Sequence, residues 1–258
     1  MPKRIFIIFS LLISTLTAAL AQERIRVLSY NIHHGNPPGK PGEIDLEAVA
    51  KLILETNADI IGIQEVDVKL SRSNMIDQAK ALAELTGMDY FFSKGIDMEN
   101  GQYGTLILSK HKIVGRRRYD LPMPVASEQR SLAIVDVQLS SGKIISFANT
   151  HLDLKNENKL AQVDHILELA DWYKRPLILV GDLNATPDSA PIKKLEGSFV
   201  RNTSSNGPTH PNVEPKNEID YIMVAGHTKF TWKDYKRHSE SNLSDHLAVN
   251  ADLIVQFD

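Results

Sequence analysis

"LVGDLNATPDS", residues 179–189, decides the reading of this chain: an apolar run ends on Asp182 and Asn184, and a turn-forming Thr186-Pro187-Asp188 follows. With the preceding Pro176 to Ile178, the run is short, continuous and aliphatic, which predicts a strand buried on both faces. Residues i and i+2 of an extended segment project to the same side, so Asp182 and Asn184 could address one group. An Asx turn ahead of Thr186-Pro187 is the alternative use of the same residues.

Similar strand ends occur along the whole chain. In "RIRVLSYNI", residues 24–32, Ile25, Val27 and partly Ser29 share one face of a predicted strand that ends on Asn31. Asp45 is placed to cap a helix that carries Leu46, Val49, Ala50 and Ile53 on one face. "ADIIGIQEVD", residues 58–67, then reads as a buried strand ending on Glu65. A second helix, "IDQAKALAELTG", closes on Gly87, and "MDYFFSK" and "YGTLILSK" are strands about a Glu99-Asn100-Gly101 turn. "SLAIVDVQL" and "KIISFANTHLDL" flank Ser140-Ser141-Gly142 as a hairpin would, and Leu160, Val163, Leu167 and Ala170 recur at helical spacing. "EIDYIMV" and "HLAVNADLIV" supply the last strands, while residues 197–218 lack periodicity and read as a long surface loop.

The 258 residues are 42% hydrophobic and 24% charged, enough for one substantial core, and no repeat or linker divides them. Lys3 and Arg4, an uncharged run from Ile5 to Leu20 and a small-x-small end at Ala19-Leu20-Ala21 predict a signal peptide over residues 1–21. The expectation is therefore an exported domain over residues 22–258, periplasmic or extracellular. There is no cysteine, so neither disulfides nor thiolate metal sites are open to the chain. Taking Lys3 and Arg4 from the 29 basic residues leaves 27 against 32 acidic ones, a balance of −5 that offers no global attraction to a polyanion.

The strand ends carry Asn31, Glu65, His151, Asp182 with Asn184, Asp220, and Asp245 with His246. Polar residues at single strand ends ordinarily cap turns, but a sheet scaffold gathers the loops at one edge, where such groups can form a site. Oxygen donors without cysteine suit a hard dication, Mg²⁺ foremost, with Mn²⁺ or Ca²⁺ as alternatives. His33 and His34, being adjacent, are not expected to reach one ion together from a strand.

The ordered set "LSYNIHHG", "IIGIQEVD", "YGTLILSK", "NTHLDL", "LVGDLNATP", "IDYIMV" and "LSDHLAV" resembles the endonuclease/exonuclease/phosphatase superfamily across the mature chain. The resemblance implies an α/β protein, a four-layered DNase I-like sandwich of two mixed, mostly antiparallel β-sheets flanked by helices. It implies that Glu65 is the principal metal ligand, with Asn31 beside it and Asp245 near the ion. It further implies that Asp182 orients or deprotonates the attacking water, and that Asn184, His246 and His151 hold the phosphate. Asp220 would orient His246, Tyr103 would reach the phosphate, and Arg130 would contact substrate. Apart from the resemblance, His33, His34 and Arg72 lie next to loops and could contact substrate, with a solvated loop as the alternative.

Hydrolysis of a phosphoester needs an activated water and neutralised phosphoryl and leaving oxygens, and these residues could supply each part. The substrate is left open among small phosphoesters, lipid headgroups and nucleic acid. Two alternatives stand beside an exported phosphodiesterase or phosphatase: a secreted endonuclease, and an exported binding module without catalysis. The arginines of "GRRRYD" read as a solvated strand face, and "KFTWKDYKRH" reads equally as an interfacial loop or an edge strand.

Overall fold

The computed structural model describes residues 21–239 and 242–257. The expected signal peptide lies outside the described residues except for Ala21, which opens the first strand, β1 (Ala21–Asn31). After it come α1 (Leu46–Thr56), β2 (Ile60–Val68), α2 (Gln78–Thr86), β3 (Asp89–Met98), β4 (Gly101–Ser109) and β5 (Lys112–Asp120). The chain continues through β6 (Ser131–Gln138), β7 (Ile144–His151), α3 (Asn156–Trp172), β8 (Leu177–Asp182) and α4 (Ala190–Leu195). It closes with β9 (Phe199–Arg201), β10 (Asp220–Ala225), β11 (Phe230–His238) and β12 (Ala248–Phe257).

The strands form two six-stranded sheets, ordered β11-β12-β1-β2-β4-β3 and β5-β6-β7-β8-β10-β9. Each is mixed, with one parallel pair at its centre, β1 with β2 and β7 with β8, and antiparallel pairing elsewhere.

Alternation builds the layers. Ile25 and Val27 of β1 meet Val135, Phe147, Val180 and Ile222 of the other sheet in a shared core. Leu28 and Tyr30, on the opposite face of β1, meet Val49, Ile53 and Leu82 of α1 and α2. On the far side, Val163 and Ile166 of α3 and Ile192 of α4 cover Ala148, Leu179 and Met223. This is the four-layered sandwich that the family resemblance implied. Asp45 caps α1 by accepting from the Ala48 N–H, and Gly87 ends α2 in the left-handed conformation. Val49 and Ile53 are fully buried, each worth roughly 1.5–3 kcal/mol over leaving it in water.

The sheets approach most closely at Gly62, where an added Cβ would lie 2.3 Å from Val180 Cγ2. Beside it Asn149 bolts the sheets together. Its Nδ2 donates to the carbonyls of Ile63 and Leu106, and its Oδ1 accepts from Gln64 Nε2.

The loop expected over residues 197–218 is more structured than its composition implied. It contains β9 and a bridge between His210 and Asn217, and Thr209 donates to Asp220 in the buried interior. The 115–120 segment lies in edge strand β5, where Arg116, Arg117 and Arg118 are each ion-paired, to Asp89, Asp136 and Asp120. β11 is the edge strand of the other sheet, with Phe230 and Trp232 packed against the shared core.

Candidate active site

Because the parallel pairs β1/β2 and β7/β8 run outward to the same edge, their C-terminal ends present side chains together. Asn31 pairs with Gln64 in one sheet and His151 with Asp182 in the other, while Asp220, at the start of antiparallel β10, pairs with Asp182. His246 precedes β12, and Arg130 precedes β6. Asn31, on the inward face of β1, joins the halves: its Nδ2 donates to Glu65 Oε1 and to Asp182 Oδ2, both at 3.0 Å.

Regular alternation would turn Glu65 towards the helices. Instead β2 shifts register between Ile63 and Val66, and Glu65 adopts a left-handed φ of 58°. Such a bulge re-aims the side chain at a local backbone cost. Burial pushes the Glu65 carboxyl up, but His34, His151 and Asn31 outweigh it and hold the group well below the usual carboxylate range.

His33 and His34 correct an expectation. They sit not on a strand but in a turn after β1, where His33, His34 and Gly35 have consecutive left-handed φ values of 46°, 44° and 72°. The turn brings the two rings within 4.5 Å. Both come to Glu65, so that one ligating atom of each residue lies within 4.8 Å of the others.

On the second sheet, Asp182 is 1% exposed and faces two imidazoles, His151 Nε2 at 3.5 Å and His246 Nε2 at 3.7 Å. Burial, then the nearby Asp220 charge, raises Asp182 to about 7. His246 Nδ1 lies 2.9 Å from Asp220 Oδ2. Burial alone would lower His246, but the charge and hydrogen bond of Asp220 overcome it and raise the ring to about 10, so it is a cation at neutral pH.

His151 goes the other way, lowered to about 3 by burial and by Arg130. Arg130 Nη1 sits 3.3 Å from His151 Nδ1, and a guanidinium can only donate. His151 is therefore neutral with its proton on Nε2, aimed towards Asp182.

Asn184 is left-handed (φ 47°) rather than extended, so strand alternation does not place it on the same side as Asp182 as the spacing predicts. Its N–H donates to Asp182 Oδ1, forming the Asx turn, while Asp182 Oδ2 faces the histidines. Asn184 Nδ2 donates to the Leu152 carbonyl, and Lys159 Nζ holds the Asn184 carbonyl at 2.6 Å. Tyr103 is buried; burial and the Glu65 charge raise its phenol, so it remains protonated. The Arg72 guanidinium lies over the Tyr103 ring at 5.1 Å and is fixed by two hydrogen bonds to Asp67. Asp245 groups with His246 and His210, its Oδ2 lying 3.8 Å from His210 Nε2.

His210 is a site residue that sequence reasoning missed. Its ring stacks 4.6 Å from that of His246. Lys159, Thr209 and Ser244 were also missed, the last donating to the Asn31 carbonyl at 2.7 Å. A His-Pro step inside an aperiodic stretch was the one local signal for His210.

The donor set fits a divalent cation. Glu65 is an ionised carboxylate, and His34 Nδ1 is buried without a hydrogen-bond partner beside it. An edge that sets a cation-competent carboxylate beside a buried Asp and an imidazolium, on a DNase I-like sandwich, defines a phosphoester hydrolase. The profile of the Endonuclease/Exonuclease/phosphatase family matches residues 28–246, and the chain belongs to that family.

The chain is 25% identical over 249 residues to the uncharacterized protein YbhP of Escherichia coli, covering 90% of this chain and 97% of that one. Among solved structures, an endonuclease/exonuclease/phosphatase from Beutenbergia cavernae superimposes with a TM-score of 0.77 at 23% identity, covering 90% of this chain and 72% of that one. A mannosyl-6-phosphatase from Bacteroides thetaiotaomicron superimposes with a TM-score of 0.72 at 20% identity, covering 89% and 99%.

Proposed function

We propose that the chain is an exported, divalent-metal-dependent phosphatase or phosphodiesterase acting on a small phosphoester. The observation that carries the reading is the pairing of Asp182, buried and raised to about 7, with His246, raised to about 10. A base near the working pH and a fixed cation are what water attack on phosphorus requires.

In this reading Asp182 takes a proton from water as the water oxygen bonds to phosphorus and the bond to the leaving oxygen breaks. His246, held by Asp220, and the Nε2–H of His151 bind phosphoryl oxygens. One N–H of the Asn184 amide is committed to Leu152, and the second is left for the phosphate. Glu65 would hold the cation with Asn31 beside it, and oxygen donors of this kind accept Mg²⁺, Mn²⁺ or Ca²⁺. When bound, the ion supplies Lewis acidity to the phosphoryl and leaving oxygens. Tyr103 and Arg130 border the same space.

Three observations support a small substrate. The mature balance is acidic, the Arg116–Arg118 side chains are all ion-paired, and Trp232 is packed rather than presented to a lipid surface.

The test is a substrate panel: p-nitrophenyl phosphate, its bis ester, mannose 6-phosphate, sphingomyelin, RNA and DNA, with Mg²⁺ or Mn²⁺ and with EDTA. Turnover of a small ester that EDTA, Glu65→Ala and His246→Ala each abolish is expected. Turnover indifferent to all three rejects the mechanism, and cleavage confined to DNA or RNA replaces the substrate reading with a nuclease. Export is checked by N-terminal sequencing of protein recovered outside the cytoplasm, which should begin at Gln22.

A further inference from the structure

We infer that His33, His34 and Glu65 form one metal centre that selects a nitrogen-accepting later transition-metal dication, such as Co²⁺ or Zn²⁺, over Mg²⁺. The inference rests on the reading that a cation sits at Glu65 and goes further, giving the ion's chemical class and two imidazole ligands.

Donor geometry comes first. The three ligating atoms already lie within 4.8 Å of one another. Donors on opposite sides of an ion at ~2.1 Å are about 4.2 Å apart, so small side-chain rotations close the set.

The proton positions are also arranged for it. His33 Nδ1 lies 3.1 Å from the Asn36 carbonyl, which can only accept, so that nitrogen carries the hydrogen and Nε2 keeps its lone pair. His34 Nδ1 is buried without a hydrogen-bond partner, 3.9 Å from Glu65 Oε2, a distance too long for a hydrogen bond and open to an intervening ion. A buried nitrogen left unpaired costs free energy that a ligated metal would remove.

The turn is held in place from several sides. The His33 N–H donates to Asn31 Oδ1, the His34 carbonyl accepts from Gln78 Nε2 at 2.6 Å, and a Cβ at Gly35 would lie 2.9 Å from Leu46 Cδ2. Three ligand-bearing residues, His33, His34 and Glu65, are left-handed although none is glycine. Such backbone is unfavourable for side-chain-bearing residues and persists only where the surroundings over-determine it. Here it turns two adjacent rings and a bulged carboxylate to one point. Imidazole nitrogen is a poor partner for Mg²⁺ and a good one for the later first-row dications, so two of them bias the choice of ion.

The test titrates metal-stripped protein with CoCl₂ and with MgCl₂ by calorimetry. Co²⁺ should bind at least ~100-fold more tightly than Mg²⁺. His33→Asn and His34→Asn keep a residue type that tolerates the left-handed conformation while removing the ring. Each should weaken Co²⁺ by about tenfold or more and leave Mg²⁺ within about threefold. In the unaltered protein loaded with Co²⁺, proton NMR should show two hyperfine-shifted imidazole N–H signals, a readout independent of how the variants fold. Variants that bind Co²⁺ within twofold of the parent, or fewer than two such signals, overturn the inference. Glu65→Gln separates the two levels: undiminished binding of both metals would remove the cation from Glu65 altogether, and with it the metal-dependent reading.

Discussion

Replacing Asp182 by asparagine should cut turnover steeply and at the same time strengthen the fold, by an amount that grows with pH. Asp182 is buried, and burial followed by the Asp220 charge raises it from 3.8 to about 7. Below 3.8 the carboxyl is protonated in folded and unfolded chains alike and carries no ionisation penalty. As pH climbs from there, the unfolded chain releases the proton while the folded chain keeps it until about 7. Stability is therefore highest below the lower value and is lost through that window.

A difference of one bound proton changes stability by ~1.4 kcal/mol per pH unit, a ceiling of about 4 kcal/mol over the window. An amide has no proton to lose, so the stability of the variant minus that of the parent should rise with a slope approaching ~1.4 kcal/mol per unit between about pH 4 and 6.5. His246, raised to about 10, is protonated in the parent across that range and does not add to the slope. A constant offset opposes the gain. One amide oxygen cannot accept from both the Asn184 N–H and Asn31 Nδ2, which removes a hydrogen bond worth about 1 kcal/mol at every pH. Urea denaturation of both proteins in EDTA, at closely spaced pH values, measures the slope. A difference that stays flat from pH 4 to 6.5 would refute the assignment of Asp182 as a buried carboxyl that keeps its proton. Phosphoester turnover in the same variant should fall by roughly 10²–10⁴-fold, the usual contribution of a positioned base.

Two further perturbations probe other parts of the argument. Asp220→Asn removes the two largest influences that raise His246 and leaves only the Asp182 and Asp245 charges against burial, so the ring should titrate well below its value of about 10. The residual activity should then decline as pH rises through that lowered value, and an NMR titration still placing the His246 ring near 10 would disprove the Asp220 role. Gly62→Ala puts a methyl 2.3 Å from Val180 Cγ2 and 2.9 Å from Asn149 Cγ, and should destabilise by about 1–3 kcal/mol in urea denaturation. A loss smaller than about 0.5 kcal/mol would mean that the sheets separate freely at that point.

The layers were legible in the sequence because periodicity reports burial directly: Val27 and Leu28 point to opposite cores, and Val49 and Ile53 share a helical face. The strand ends were legible because carboxylates and imidazoles stop apolar runs abruptly. What the sequence concealed depends on local backbone geometry. The Glu65 bulge, the left-handed Asn184 and the turn at His33–His34 all break the alternation on which pattern reading relies. His210 was concealed by its loop, whose path is set by the bridge to Asn217 and by Thr209 reaching Asp220, contacts with no periodic signature.

Several features that do not serve folding meet at one edge. Asp220 Oδ1 and His34 Nδ1 are buried without hydrogen bonds, Asp182 ionises only against its surroundings, and Glu65 leaves the strand conformation inside a strand. An apolar replacement of matching shape at such positions is commonly neutral or stabilising, so packing gives no reason for them. The first two helices and β1 follow the local rules: Asp45 and Asp77 cap the helices, Asn57 and Gly87 close them, and β1 alternates between two cores. Rule-breaking groups that face one another in a single cluster are expected where function is sited. The same logic ties the Asp182 experiment to the mechanism, since a carboxyl raised to about 7 is ionised near the working pH and still basic enough to accept the proton that the attacking water must lose.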